Sequence, residues 1–169
     1  RFDCDWSSDV CSSDLRSGHF TYYSEQYRKV FVGYGVSSDG NLLDDVWAYD
    51  VDAKHWDEIK LTGSPVSPRT GARAAMNNHV LIIFGGYTGK EYLGDLHVID
   101  TLTGVVSFIE TTGQIPAPRS TPVVAVYNEQ FFVWGGFNGV FPTELNVLRL
   151  RTRDWETIHQ QHIQGRSAV

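Results

Sequence analysis

Three stretches decide how this chain is read: Asp45-Val46-Trp47-Ala48-Tyr49-Asp50, Asp95-Leu96-His97-Val98-Ile99-Asp100 and Glu144-Leu145-Asn146-Val147-Leu148-Arg149. Each opens on an acid and runs on through apolar residues, and they are spaced by 50 and then 49 positions. Other landmarks keep that register. Trp56, Val106 and Trp155 follow at the same steps, as do Ile59, Ile109 and Ile158. Gly35, Gly86 and Gly136 are spaced by 51 and 50, and arginines recur at Arg16, Arg69, Arg119 and Arg166. Landmarks in constant order, with drift confined to the connections, describe one supersecondary unit written three times.

Each unit reads as four short strands. In the second unit they are predicted over 71–76, 80–84, 95–100 and 105–110, filled by Val, Ile, Leu and aromatics and punctuated by Gly, Pro, Asn and Asp. Asn77-Asn78 supplies a tight turn, since Asn tolerates positive φ. Gly85-Gly86 is expected to end the second strand. No segment keeps a helical period, although 157–163 has room for a short turn. Apolar neighbours such as Val98-Ile99 and Phe131-Phe132-Val133 leave no polar face. A sheet apolar on both faces needs a neighbour on each side. Stacked sheets provide this, with Trp56 and Trp155 expected to supply much of the contact.

Composition narrows the function. The 169 residues carry a net charge of −6, with no basic stripe suited to nucleic acid and no apolar run approaching the roughly 20 residues of a membrane helix. The stretch from Asp5 to Leu15 reads like the conceptual translation of a short-read sequencing adapter, and the repeat begins at Arg16. Residues 1–15 are therefore expected to be an assembly artefact, the alternative being a polar tail. They hold both cysteines, Cys4 and Cys11, and four aspartates against one arginine, half of the net charge. Without them no disulfide, cysteine nucleophile or cysteine metal site remains. With no Asn-x-Ser/Thr sequon either, a reducing, cytoplasmic setting is expected.

An opening arginine, a Gly-Gly after the second strand, an acid-led third strand closing on Asp and a fourth-strand Trp resemble the kelch repeat. The likeness covers 16–169 and extends to the linkers Thr62-Gly63-Ser64-Pro65 and Thr112-Gly113-Gln114-Ile115-Pro116. These are similar to linkers of multidomain kelch proteins of the host cell factor, Rab-effector and tip-elongation kind. The resemblance implies an all-β fold: a partial kelch β-propeller of about three four-stranded antiparallel blades, its ring not closed. The units fall at 16–64, 65–115 and 116–164, with 165–169 opening a fourth, so the chain is expected to be part of a longer protein. Four departures stand out. Tyr34 takes the first glycine's place, with a distorted turn expected; Val106 replaces the Trp, with a weaker contact expected; Arg149 replaces the closing Asp; and Pro122 falls in a first strand.

The resemblance also frames the chemistry. Iron-carrying specifier proteins of the family use Glu-x-x-x-Asp-x-x-x-His. Glu91 and Asp95 have that spacing, but Ile99 stands where the His belongs and His97 is two residues off. His159 and His162 lack a third ligand. No phosphate-binding glycine loop or nucleophile elbow is present. The reading is therefore no enzyme, no cofactor and no metal. The alternative is a specifier-type, iron-dependent kelch protein with its metal site in other blades. Arg69, Arg73 and Arg119 are expected to bond blade carbonyls, and His19 to be structural. In the kelch family, partners are met by the residue after Gly-Gly and by residues after the opening arginine. Here those are Tyr87 and Phe137, then Thr70, Ser120 and Thr121. The adjoining loops add Tyr92, Asn138 and Phe141. The expected function is a scaffold or substrate adaptor. Its partner is another protein, a ubiquitin-ligase subunit or a small GTPase, with no nucleic acid and no membrane.

Overall fold

The computed structural model describes residues 15–159. Both cysteines, Arg166, His162 and 165–169 lie outside the described residues, as does the whole of the segment set aside as an artefact except Leu15. The described chain is strand and turn throughout, without a helix. Its strands are β1 (Arg16–Ser17), β2 (Phe20–Ser24), β3 (Lys29–Gly33), β4 (Val36–Ser37), β5 (Val46–Asp50) and β6 (His55–Glu58). Then follow β7 (Thr62–Gly63), β8 (Arg73–Asn77), β9 (Val80–Tyr87), β10 (Tyr92–Asp100) and β11 (Val105–Phe108). The last are β12 (Thr112–Gly113), β13 (Val123–Tyr127), β14 (Gln130–Trp134), β15 (Leu145–Arg149) and β16 (Asp154–Ile158).

Three sheets result, in the orders β2-β3-β5-β6, β7-β11-β10-β9-β8 and β12-β16-β15-β14-β13, with β1-β4 as a separate ribbon. Each carries the expected four antiparallel strands of a blade. In blades 2 and 3 a fifth, two-residue strand from the preceding linker joins the outer edge in parallel: β7 on β11 and β12 on β16. Thr62 N–H donates to the Gly104 carbonyl at 2.9 Å and Ser64 N–H to Val106 at 3.0 Å, while Thr112 and Gln114 repeat this on Arg153 and Trp155, each at 2.9 Å. Glycine is required at the second position. A Cβ on Gly63 would stand 2.5 Å from the Val106 carbonyl oxygen, and one on Gly113 2.4 Å from that of Trp155.

The pleat sorts side chains into the gaps between blades. Phe20, Phe31, Val46 and Ala48 of blade 1 meet Ala74, Leu81, Ile83, Ile99 and Val106 of blade 2 in one core. The other side of blade 2, with Ala75, Ile82, Phe84 and Leu96, meets Phe131, Val133, Leu148 and Trp155 of blade 3. β2, β8 and β13 approach one another from successive sheets and form the inner edge of the stack.

Several expectations are corrected. β9 does not stop before its glycine pair but runs through Gly85-Gly86, and β10 begins at Tyr92, with a register shift between Leu93 and Leu96. Pro122 lies just before β13, so no strand hydrogen bond is lost to it. Thr157 belongs to β16 rather than to a turn. Trp155 is 2% exposed, whereas Trp56 at the same repeat position is 41% exposed. The reason is directional: the fourth-strand residue faces the preceding blade, and among the described residues none precedes blade 1.

Candidate functional site

The recurring arginine ties each blade together. Arg69 Nη1 donates to the Gly85 carbonyl at 3.2 Å and to Asp95 at 2.5 Å, and its Nε donates to Ser67 O at 3.0 Å. Arg119 donates to Gly135 O at 3.1 Å and to Glu144 at 3.0 Å. Arg16 reaches Tyr34 O at 3.3 Å and grips Asp45 with two bonds of 2.7 and 2.8 Å. The arginine's backbone faces the other way. Gly35 N–H donates to Arg69 O at 2.8 Å and Gly86 N–H to Arg119 O at 2.9 Å, so one residue binds two blades. Both arginines are almost fully buried. Carbonyl bonding was expected of them; their acidic partners were missed, although Asp45, Asp95 and Glu144 recur in the same register. Burial opposes ionisation of Asp45, but hydrogen bonds from Arg16 and Trp47 outweigh it and hold the carboxyl below its usual range. Arg73 meets the carbonyls of Ala72 at 3.1 Å and His19 at 3.4 Å.

Asp95 is thus occupied by Arg69, and among the described residues no three acids, histidines or cysteines cluster as a metal site. His97 is fully buried against blade 1, where its Nε2 lies 2.8 Å from the Tyr34 hydroxyl. Tyr34 keeps the turn of its glycine counterparts, with φ of 59° beside 72° at Gly85 and 65° at Gly135, so the expected distortion is absent. Its ring fills the gap between blades, edge-on to Phe20 with centroids 5.5 Å apart.

Burial, aided by the Arg69 guanidinium, pushes the His97 imidazole down to about 3, with Asp95 opposing. The folded chain therefore holds His97 neutral across a range in which the unfolded chain protonates it. Its stabilising effect is complete above the unfolded value near 6.5 and is lost as pH falls from there toward 3. Stability is expected to drop by up to ~1.4 kcal/mol per pH unit from this one proton. His97→Asn, which installs the blade 3 residue, is expected to flatten that slope between pH 6 and 4.5. His19, also lowered by burial, leaves a residual slope. Urea titrations of both proteins at several pH values measure it; equal slopes refute it.

The sequence-predicted contact residues gather on one rim. Tyr87 and Thr70 exchange backbone hydrogen bonds of 2.8 and 3.0 Å, and Phe137 and Ser120 do so at 2.9 Å each. The residue after Gly-Gly and the residue after the arginine are thus held side by side in both blades. Above them four rings form a run. Tyr87 and Tyr92 have centroids 5.0 Å apart, Tyr92 and Phe137 6.0 Å, and Phe137 and Phe141 5.2 Å. The run crosses from blade 2 to blade 3, and Phe141 is 54% exposed with Val140 beside it at 65%. Tyr87, Tyr92 and Phe137 are half-buried, a state between the inward and outward placements open to them from sequence. Asn138 sits in the same loop, its Oδ1 buried without a protein donor.

Thr121 departs from this pattern. Its amide donates to Gly71 O at 2.6 Å, as Gly71 donates to Gly18 O at 2.7 Å. Gly18 and Gly71 take positive φ there, and Thr121 does so at 49° despite its branched Cβ. A β-branched residue in that region is strained and is held by its surroundings. Thr121 therefore continues the inner hydrogen-bonded line between blades rather than standing on the aromatic run.

Blades stacked about an inner edge, each with a recurring arginine tie and a loop-bearing rim, define a partial β-propeller of the repeat class. A family model described as the KLHDC2/KLHL20/DRC7 Kelch-repeats domain matches residues 4–168, and this chain belongs to the kelch-repeat family. That match begins inside the segment set aside on sequence grounds. Among similar proteins, Kelch domain-containing protein 1 of Homo sapiens is 29% identical over 86% of this chain and 38% of its own length. Acyl-CoA-binding domain-containing protein 4 of Arabidopsis thaliana is 33% identical over 75% of this chain and 20% of its own. Rab9 effector protein with kelch motifs of Rattus norvegicus is 33% identical over 65% of this chain and 30% of its own. The chain thus spans about a fifth to two fifths of the length of these relatives. Kelch membership points to a protein-interaction or adaptor role. Among the described residues no helix is long and apolar enough to cross a membrane.

Proposed function

We propose that this chain is a non-catalytic, cytoplasmic protein-binding module that captures its partner on the rim of blades 2 and 3. Tyr87, Tyr92, Phe137 and Phe141 are the anchors, with Thr70, Ser120 and Asn138 supplying polar contacts beside them and Thr121 holding the inner line behind. The observation that supports this most is the unbroken aromatic run across two blades, its outer end exposed. Aromatic side chains on rigid supports lose little entropy on docking and dominate interface energetics. Two of the supports are held by backbone hydrogen bonds, Tyr87 to Thr70 and Phe137 to Ser120, and Tyr92 pairs with Tyr87 across the sheet. The partner classes that fit are a small GTPase, the class named in the Rab9 effector relative, and a ubiquitin-ligase subunit.

The test is a double substitution, Tyr87→Ala with Phe137→Ala. Proteins crosslinked to the wild-type chain in cytosol are identified, and their affinities for both chains are compared. Loss of two anchors of about 2 kcal/mol each weakens binding by at least a hundredfold. An unchanged affinity in a variant that remains folded refutes the rim.

A further inference from the structure

We propose that the cleft between blades 2 and 3, at the opposite end of the strands from the aromatic run, takes a second ligand: a short acidic peptide segment of a partner protein that inserts one apolar side chain. Both walls belong to described blades, and the cleft opens between them rather than on an end face of the stack. Val80 and Tyr87 are the two ends of β9, so about 23 Å of strand separates this cleft from the rim. The inference does not depend on the rim.

The cleft has a volume of about 250 Å³. Val80, Ile82 and Val98 of blade 2 form one wall and Leu148 and Leu150 of blade 3 the other, with the exposed Arg153 at the edge. A cavity of about 150 Å³ lined by such residues holds a benzene molecule, so this one has room for a Leu, Ile or Phe side chain. What marks it as a site is a comparison within the chain. The gap between blades 1 and 2 has a cleft at the same place. Strand register and turn hydrogen bonds make Lys29 the counterpart of Val80, Thr101 of Leu150 and Gly104 of Arg153. The first cleft is lined by Lys29, Asp57, Glu58 and Lys60, and its lysines are already paired, Lys29 with Asp50 and Lys60 with Glu58. The second has apolar walls and a guanidinium in place of that set. Arg149 pairs with Asp154 and Glu156, whereas Arg153 has no ion-pair partner among the described residues, and no acid lines the cleft. A cation beside apolar walls, on a chain of net charge −6, favours an apolar group with a carboxylate close by. Asn77 and Asn78 line the same cleft and offer amide groups to a peptide backbone. The fitting segment therefore carries a Leu, Ile or Phe next to, or one residue removed from, an Asp or Glu.

The test pans a random display library of short peptides on the 169-residue chain. The library is first depleted on the variant Val80→Lys with Leu150→Thr and Arg153→Gly, which keeps the rim and the end faces and so removes peptides bound there. Each substitution installs the residue of the first cleft, and glycine suits the φ of 59° at Arg153. Circular dichroism and a urea midpoint near that of the wild type confirm the fold; if the triple variant unfolds, Arg153→Gly alone serves for depletion. The surviving peptides are expected to share the apolar–acidic pair and to bind the wild type at least ~tenfold tighter than the depleting variant. A double-mutant cycle assigns the carboxylate: changing the peptide's Asp to Asn is expected to cost about tenfold on the wild type and under about twofold on Arg153→Gly. Methyl shifts on titration are expected at Val80, Val98 and Leu150. Survivors that lack an acid overturn the proposal, as do an Asp-to-Asn cost that Arg153→Gly leaves unchanged, methyl shifts elsewhere, or the absence of survivors.

Discussion

Arg69→Met is expected to destabilise the chain by about 3–5 kcal/mol, measured by urea denaturation near neutral pH. The substitution keeps the length of the side chain and removes the fork. Asp95, mostly buried, is left without its cation, the Gly85 carbonyl without its donor, and Ser67 without two bonds. Breaking a buried pair from one side costs more than the pair is worth, because the remaining charge stays desolvated. A domain of this size has ~5–15 kcal/mol in hand, so the loss is a large fraction of the whole. Arg69→Lys tests the geometry separately. A single ammonium cannot serve Gly85, Asp95 and Ser67 at once, so lysine is expected to recover less than half of the loss. A methionine variant within 1 kcal/mol of wild type would show that the fork is an ornament of the fold.

The second large effect is at Trp155. Its ring is 2% exposed, lies 5.9 Å from Phe84 and 6.3 Å from Phe131, and donates Nε1–H to Thr111 Oγ1 at 3.1 Å. Trp155→Ala opens a cavity between blades 2 and 3 and is expected to lose about 3–5 kcal/mol. Trp56→Ala, at the same repeat position, is expected to lose under about 1 kcal/mol. Trp56 rests on Tyr49 of its own sheet and has no blade in front of it among the described residues. Thermal or urea unfolding of the two variants side by side gives the contrast; equal losses would contradict the assigned direction of stacking.

That contrast also marks where the sequence was informative. The acid-led third strands were legible because a mostly apolar run behind an acid, repeated at 50 and 49 residues, has no other economical reading, and β5, β10 and β15 lie there. The period shows that Trp56 and Trp155 are equivalent but not which neighbour each faces, so their unequal burial was not legible. The parallel strands β7 and β12 are two residues long and carry no alternation; only the repeated Thr-Gly hinted at them. At the rim, Tyr87, Phe137, Thr70 and Ser120 were placed through the resemblance. Their backbone pairing and the continuity of the ring run depend on the angle between blades, which no local pattern encodes. Tyr34 read as a flaw because a side chain at positive φ is costly. Its compensation lies 63 residues away at His97, beyond any short-range signal.

Thr62-Gly63 and Thr112-Gly113 are contiguous with one sheet and hydrogen-bonded to the next. What evolution can copy or delete without damage is therefore not a sheet. A duplication cut cleanly between sheets would leave one outer edge bare and strand a Thr-Gly pair elsewhere. A cut through a hairpin inside a sheet, by contrast, carries every edge along with its cover. A backbone cut should be tolerated better at the Asn128-Glu129 turn than at either linker, as limited unfolding of nicked chains would show.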